Sequence, residues 1–379
     1  MIEEWMTSEE RLRAAINLEK PDRVPVSPLV GLPFSAKILS LTEAELHADP
    51  NEAVEAIPKV FDAFGGWDVI AHFPLIDLFY HLGGHAVKVP GKDLPNDYQL
   101  QFDEKEHLKV EDYKKIADMG WRKFVFEDFI FRITNWKPED IPEMWNKYRA
   151  LKEKSDSEWE KRGVTLKLSA YYLHPFFTLS LNRSLLKFTE DLYYRPKLVE
   201  AALETMTEEI IKFGIRGAKR SSSKTKIIML VEERAEAYFY PLKIFERFWW
   251  PYTKQIVETW SSEGIITFFH LDQCWDKNIP YFKELPRASA VIDLDGTTDI
   301  FAAKKVLYNH LCISSDVHPT LLSLGNPKDV EAYCKKLIDK LGIDGGHILS
   351  SGCEVPPTCK PENLRAMIQT GKTYQLSNP

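Results

Sequence analysis

A histidine, two aspartates and a cysteine fall within one short stretch, "FFHLDQCWDK" at 268–277. Imidazole nitrogen, carboxylate oxygen and thiolate sulfur are the donors that a borderline-soft divalent ion accepts, so His270 with Asp272 or Cys274 could form half of a metal site. The other half needs a donor from elsewhere. "LSSGCEVPP" at 349–357 supplies Cys353, where Gly352 loosens the backbone before the cysteine and two prolines stiffen the loop after it. Three protein ligands would leave one coordination position free, the pattern of catalysis and not of scaffolding. The same residues admit two other accounts. They could be polar groups collected at the end of a core strand, or Cys353 could be a nucleophile with His270 or His318 as its base.

Carboxylates with a similar placement are Glu232 and Glu233 in "LVEER", Asp295 in "DLDGTTD" and Asp316 in "SSDVHP". Glu232, Asp295 and Asp316 are candidates for orienting a ligand or handling a substrate proton. The turn-like surroundings of the two aspartates also suit simple loop capping. Of the adjacent glutamates, one could face a site and the other pair with Arg234. "YYLHPFFTL" at 171–179 places His174 among aromatics, which core packing explains, although an aromatic mouth would also suit an apolar or flat ligand.

These residues need elements to hold them. Thr7 and Glu10 have capping-box spacing, and Leu12, Ala15 and Ile16 give an apolar helical face. Eight short apolar runs read as strands, near 23–29, 67–73, 164–172, 226–232, 264–270, 288–295, 311–316 and 345–352. Helix-length segments separate them, near 182–190, 196–213, 242–261, 277–283, 298–307, 326–341 and 361–370. This alternation predicts an α/β fold, a single (β/α)8 TIM barrel over 1–379 with a helical N-terminal segment. A doubly wound sheet is the competing architecture. The stretch 75–160 reads as a long elaborated connection after the second strand, with a hairpin in "LGGHAVKVPG" and helices near 109–118 and 138–154. In a barrel, catalytic groups stand where strands end on the C-terminal face, which is where these candidate residues fall.

Composition narrows the function classes. A formal charge of -7 gives no global attraction to nucleic acid or anionic lipid. No apolar run is long enough for a membrane span, and the opening residues have neither a basic nor an apolar leader segment, so a cytoplasmic chain is expected. All five cysteines lie at or beyond position 274, which points to thiol or metal chemistry there and not to a disulfide scaffold. The glycine-rich nucleotide motifs, the helical zinc-protease motif and the serine-nucleophile elbow are all missing.

Four further stretches carry a resemblance over nearly the whole length: "RLRAAINLEKPDRVPV", "LYYRPKLVEAALETM", "LSLGNPKDVEAYCKKLIDKLG" and "GCEVPPTCKPENLRAMIQT". In order and character they resemble the uroporphyrinogen decarboxylase superfamily, which implies the barrel. One branch of that family decarboxylates tetrapyrroles and grips their carboxylates with an arginine-bearing segment after the first strand. Here "PLVGLPFSAKILS" stands in that region and has no arginine. The other branch comprises cobamide-dependent methyltransferases with an H-x-C zinc motif and a lone cysteine after the last strand. The matching positions are His270, Asp272 and Cys353, with Asp in place of the motif cysteine, so that either Asp272 or Cys274 completes the set. The resemblance therefore implies a zinc-dependent corrinoid methyltransferase, moving a methyl group between a small methylated compound or thiol and a cobamide carried by a partner corrinoid protein. A uroporphyrinogen decarboxylase-like enzyme and a non-enzymatic corrinoid- or tetrapyrrole-binding protein are the alternatives. Self-association as a homodimer is left open.

Overall fold

Thr7 caps the first helix, Ser8–Ile16, as its spacing with Glu10 predicts. The hydroxyl of Thr7 accepts the Glu10 N–H at 3.2 Å, and the Glu10 carboxylate accepts the Thr7 N–H at 2.9 Å. Two orphan donors are thereby satisfied. The computed structural model describes residues 5–374; residues 1–4 and 375–379 of the expected 1–379 domain lie outside the described residues.

A small antiparallel pair, β1 (Val87–Lys88) and β2 (Gln101–Phe102), precedes one parallel sheet. That sheet contains β3 (Leu168–Leu173), β4 (Lys226–Glu232), β5 (Ile265–Leu271), β6 (Ala290–Leu294), β7 (Cys312–Val317) and β8 (His347–Ser351). The six strands are hydrogen-bonded in strict chain order. They never reverse direction of addition, so they contain no switch point of the kind a doubly wound sheet requires.

From β4 to β8 the strands are buried on both faces, as parallel strands covered by helices must be. In β4, Ile227, Met229 and Val231 join one apolar cluster with Phe268, Val291, Cys312 and Ile348. Ile228 and Leu230 point the other way, into a larger cluster with the covering helices. Leu12, Ala15 and Ile16 of the first helix join the former cluster and close that end of it.

The two segments expected as the first strands do not form ladders. Residues near 23–29 meet β8 in a single parallel bridge, Val26 with Leu349, and residues near 67–73 meet the approach to β3 in another, Ala71 with Lys167. Pro25 and Pro28 bring no N–H to pair, and Pro74 cuts the second segment short. A buried ion network anchors both instead. Asp68 accepts from Arg11 at 2.7 Å, from Arg23 at 2.6 Å and from the Val26 N–H at 3.0 Å.

The helices expected near 109–118 and 138–154 are Val110–Met119 and Ile141–Glu160, and between them the chain turns through a π-helical bulge, Val125–Phe129. The segment near 242–261 is two helices, Leu242–Phe248 and Trp250–Ser262, because Pro251 can begin a helix but not continue one. The segment near 277–283 is a 3-10 helix, Ile279–Glu284. Among the described residues no helix is long and apolar enough to cross a membrane.

Candidate metal centre

β5 and β6 run in register, pairing His270 with Asp293 across the ladder. The two side chains share a face, and Asp293 Oδ2 lies 2.7 Å from His270 Nδ1. A carboxylate on Nδ1 fixes the ring and leaves Nε2 as the free donor. Nε2 stands 3.6 Å from Cys353 Sγ and 3.5 Å from Asp272 Oδ1, and the Cys353 sulfur is 3.7 Å from Asp272 Oδ2. One ligand atom from each of His270, Asp272 and Cys353 lies within 4.8 Å of the other two, so the three could hold a metal ion.

The loops that bring these donors together are tightly specified. After β5, Gln273 adopts a left-handed conformation (φ 73°), with its N–H held by Asp295 at 2.8 Å. Trp275 Nε1 donates to the Asp272 carbonyl at 2.7 Å. This turn directs Asp272 inward and carries Cys274 away, where its sulfur contacts Asp276 at 3.4 Å. After β8, a side chain at Gly352 would meet the Asp295 carbonyl at 2.4 Å, so only glycine lets the Cys353 loop lie against that backbone. The Val355 N–H then donates to the Leu29 carbonyl at 2.8 Å.

The triad faces a cavity of about 200 Å³ that Glu43, Glu233 and Glu354 also line, together with Tyr80 and Tyr171. Among the described residues no lysine or arginine lines it. Burial pushes Glu354 up to about 7; burial and the neighbouring Asp272 do the same for Glu233; burial and Glu354 push Glu43 up to about 8. Burial also raises the thiol of Cys353 and the carboxyl of Asp272. Burial opposes the charge on His270, yet Asp272, Asp293 and Cys353 around it raise its pKa well above that of an ordinary imidazole. Without a cation, the cavity concentrates acids that cannot all ionise.

Other candidate residues hold different contacts. Glu232 is buried on the opposite side of β4 from Glu233; it accepts the backbone N–H groups of Glu233 and Arg234 and, at 2.8 Å, the Trp249 indole N–H. Asp295 fixes the loops through Gln273 and Thr297. Asp316 accepts the Tyr333 hydroxyl at 2.7 Å. His174 and His318 are helix caps, each accepting an N–H two residues on at 3.1 Å. The sequence reading gives Asp293 no role, leaves open which of Glu232 and Glu233 faces the site, and passes over Glu354. Alternation along the strands would have found Asp293 and Glu233, since 229, 231 and 233 share a face, as do 291 and 293.

This fold and site define an α/β enzyme class with a sequentially wound parallel sheet, and the chain belongs to the uroporphyrinogen decarboxylase (URO-D) family, whose model matches residues 175–374. A uroporphyrinogen decarboxylase from Methylococcus capsulatus is 30% identical over 78 residues, 21% of this chain and 22% of that protein. The methylcobamide:CoM methyltransferase MtbA of Methanosarcina mazei is 26% identical over 133 residues, 35% of this chain and 38% of the relative. These matched stretches thus span well under two thirds of either curated relative. A solved methyltransferase from Methanosarcina mazei superposes with a TM-score of 0.74 at 16% identity, covering 97% of this chain and 98% of its own, and shows the shared fold.

Proposed function

We propose that the protein is a zinc-dependent corrinoid methyltransferase, moving a methyl group between a small methylated compound or thiol and a cobamide carried by a partner protein. In this reading residues 1–379 form a single TIM barrel, the segments near 23–29 and 67–73 complete the ring beside β8 and β3, and 75–160 is an elaborated connection. His270, Asp272 and Cys353 hold the zinc.

The observation that carries the reading is the donor set. A tetrahedral zinc with bonds of about 2.0–2.3 Å sets its ligand atoms about 3.3–3.6 Å apart. The nitrogen here lies 3.5 Å from one Asp272 oxygen and 3.6 Å from the sulfur, the sulfur lies 3.7 Å from the other Asp272 oxygen, and one ligand atom from each residue falls within 4.8 Å of the other two. An acidic cavity without arginine or lysine also suits a cation better than a substrate bearing several carboxylates, which supports methyl transfer over tetrapyrrole decarboxylation. Tyr98, Tyr238 and Phe239 are exposed on segments next to the cavity and β4, a surface suited to a partner that delivers a large cofactor.

Zinc bound with an open position supplies Lewis acidity, lowering the pKa of a thiol acceptor or polarising the heteroatom of a methyl donor. The protein residues do the rest. Asp293 keeps Nε2 of His270 aimed at the ligand position. Asp295 and Glu232 are positioning residues, the former for the Asp272 turn and the latter for the turn that presents Glu233. Glu233 and Glu354, titrating near neutrality, are placed to take up the proton that a thiol releases on binding. Asp316 contributes to the frame through Tyr333.

Metal analysis tests the reading directly. The purified protein should bind one equivalent of zinc, the Cys353→Ser variant should lose it, and chelator-treated protein should fail to demethylate methylcobalamin with a thiol acceptor. Zinc content unchanged in Cys353→Ser, or turnover of a carboxylated tetrapyrrole by the chelated protein, would sink it.

A further inference from the structure

A second cavity, of about 330 Å³, lies between residues 72–85 and the free edge of β3. It exists because strand pairing fails there. The Leu168 N–H donates to the Ala71 carbonyl at 2.8 Å and the Ala71 N–H to the Leu166 carbonyl at 2.9 Å, after which the two chains part. Ser169 through Leu173 then face the gap, and the buried Ser169 hydroxyl has no hydrogen-bond partner. The facing walls are aromatic: Phe79, Trp121, Phe126, Trp145, Tyr148 and Phe213. His72, Leu75 and Tyr171 line both this cavity and the one that holds the triad, so the two are separated by a single layer of side chains.

Arg122 supplies the charge. Its exposed guanidinium stands 5.0 Å from the Trp145 ring, 5.1 Å from Phe213 and 5.6 Å from Phe126. Glu209, which also lines the cavity, spends one carboxylate oxygen on the Arg122 backbone N–H at 3.0 Å and forms no ion pair with the guanidinium. Arg216 lies 5.4 Å from the same Phe213 ring, and its positive charge acts on Arg122. Two guanidinium groups thus flank one ring, and each is held by aromatic faces instead of by a carboxylate. Aromatic faces position a guanidinium but leave its planar fork of N–H donors available, and that fork matches a carboxylate.

We infer that this cavity binds a planar aromatic monoanion, its ring among Trp121, Trp145 and Tyr148 and its carboxylate on Arg122. The volume falls in the range of small-molecule sites, and of the three charged residues that line it Lys152 pairs with Asp156 at 2.6 Å and Glu209 holds a backbone N–H, which leaves the Arg122 guanidinium to orient the guest. The shared wall places such a ligand beside the triad cavity but not in it, and the binding site does not rest on the methyl-transfer reading.

The test uses the full chain freed of metal, with 2-naphthoate as the probe and its uncharged methyl ester as the control, followed by calorimetry and by quenching of tryptophan emission. The expected result is saturable binding in which the acid is about tenfold tighter than the ester. Arg122→Gln should abolish that preference, Ser169→Phe should abolish binding of both compounds, and Cys353→Ser should leave both affinities unchanged. Equal affinity for acid and ester, or an Arg122→Gln variant that binds naphthoate like the unaltered protein, would overturn the inference even if Ser169→Phe failed to fold. Zinc content unchanged in Cys353→Ser, with naphthoate binding intact, would reject only the metal reading.

Discussion

The ends of β5 and β6 carry two populations of donors that differ in fate. His270 and Asp293 lie within the hydrogen-bonded ladder, directly opposite one another; the His270 side chain lines the triad cavity, and Asp293 holds its Nδ1. Cys274, Asp276 and Asp295 lie a few residues later, in loops. There Asp276 accepts the Asp299 N–H at 2.9 Å and the Cys274 thiol, and Asp295 accepts from Gln273 and Thr297. Loop carboxylates are close to unpaired backbone donors and bind them, whereas a strand's own N–H groups are already committed to the ladder. His270 therefore stays free for a ligand, whereas a loop donor such as Asp272 does so because Asp295 takes up the Gln273 N–H of its turn.

The comparison breaks most visibly if Asp293 is dispensable. Asp293→Asn removes the carboxylate on His270 Nδ1, and zinc affinity should fall by about 10–100-fold, measured by competition with a chromophoric chelator. Unchanged affinity would mean that ladder register does not aim the imidazole.

A smaller effect sharpens the contrast through pH. Burial raises Glu232 and Glu43 to about 8 from 4.5, and Asp316 to about 7 from 3.8. The folded chain then binds more protons than the unfolded one across this window. The stability these groups contribute is complete below their ordinary values and lost as pH rises through 7 to 8. The melting temperature of the metal-free protein should therefore decline from about pH 5.5 and level off near about pH 8.5, most steeply below neutrality. A flat or rising profile would show that these acids are not desolvated as the packing requires.

The smallest expected change is at Cys274. Its sulfur is turned toward Asp276, so Cys274→Ser should leave zinc stoichiometry and affinity as they were. A variant that loses metal would show that the loop reorganises to bring this thiol to the ion.

Much of this was legible in the sequence because local signals suffice for it. The six runs that became β3 to β8 are short, apolar and separated by helix-length segments, and the capping box at Thr7 is a fixed-spacing motif. Pairing is not local, which is why the runs near 23–29 and 67–73 looked equal to the others yet form only single bridges. His270, Asp272 and Cys353 could be proposed together from donor chemistry, but choosing Asp272 over Cys274 depended on the left-handed turn at Gln273, which no glycine or asparagine advertises. Glu354 escaped notice for a similar reason. Its carboxylate occupies the space that a side chain at Gly31 would fill. A cavity formed by chains that part after Ala71 leaves no mark in either run.

The stapling of the Cys353 loop to the start of the fold has a consequence for biosynthesis. Ser27 donates its N–H to the Leu349 carbonyl, and Leu29 exchanges hydrogen bonds with Ser351 and Val355, so β8 and the cysteine after it are seated against a segment made 322 positions earlier. A polypeptide emerging from the ribosome can assemble β3 to β7 in turn, but the loop that carries the thiol can close only after residue 355 has emerged. In the zinc reading proposed above, the ion is acquired only after that closure has formed.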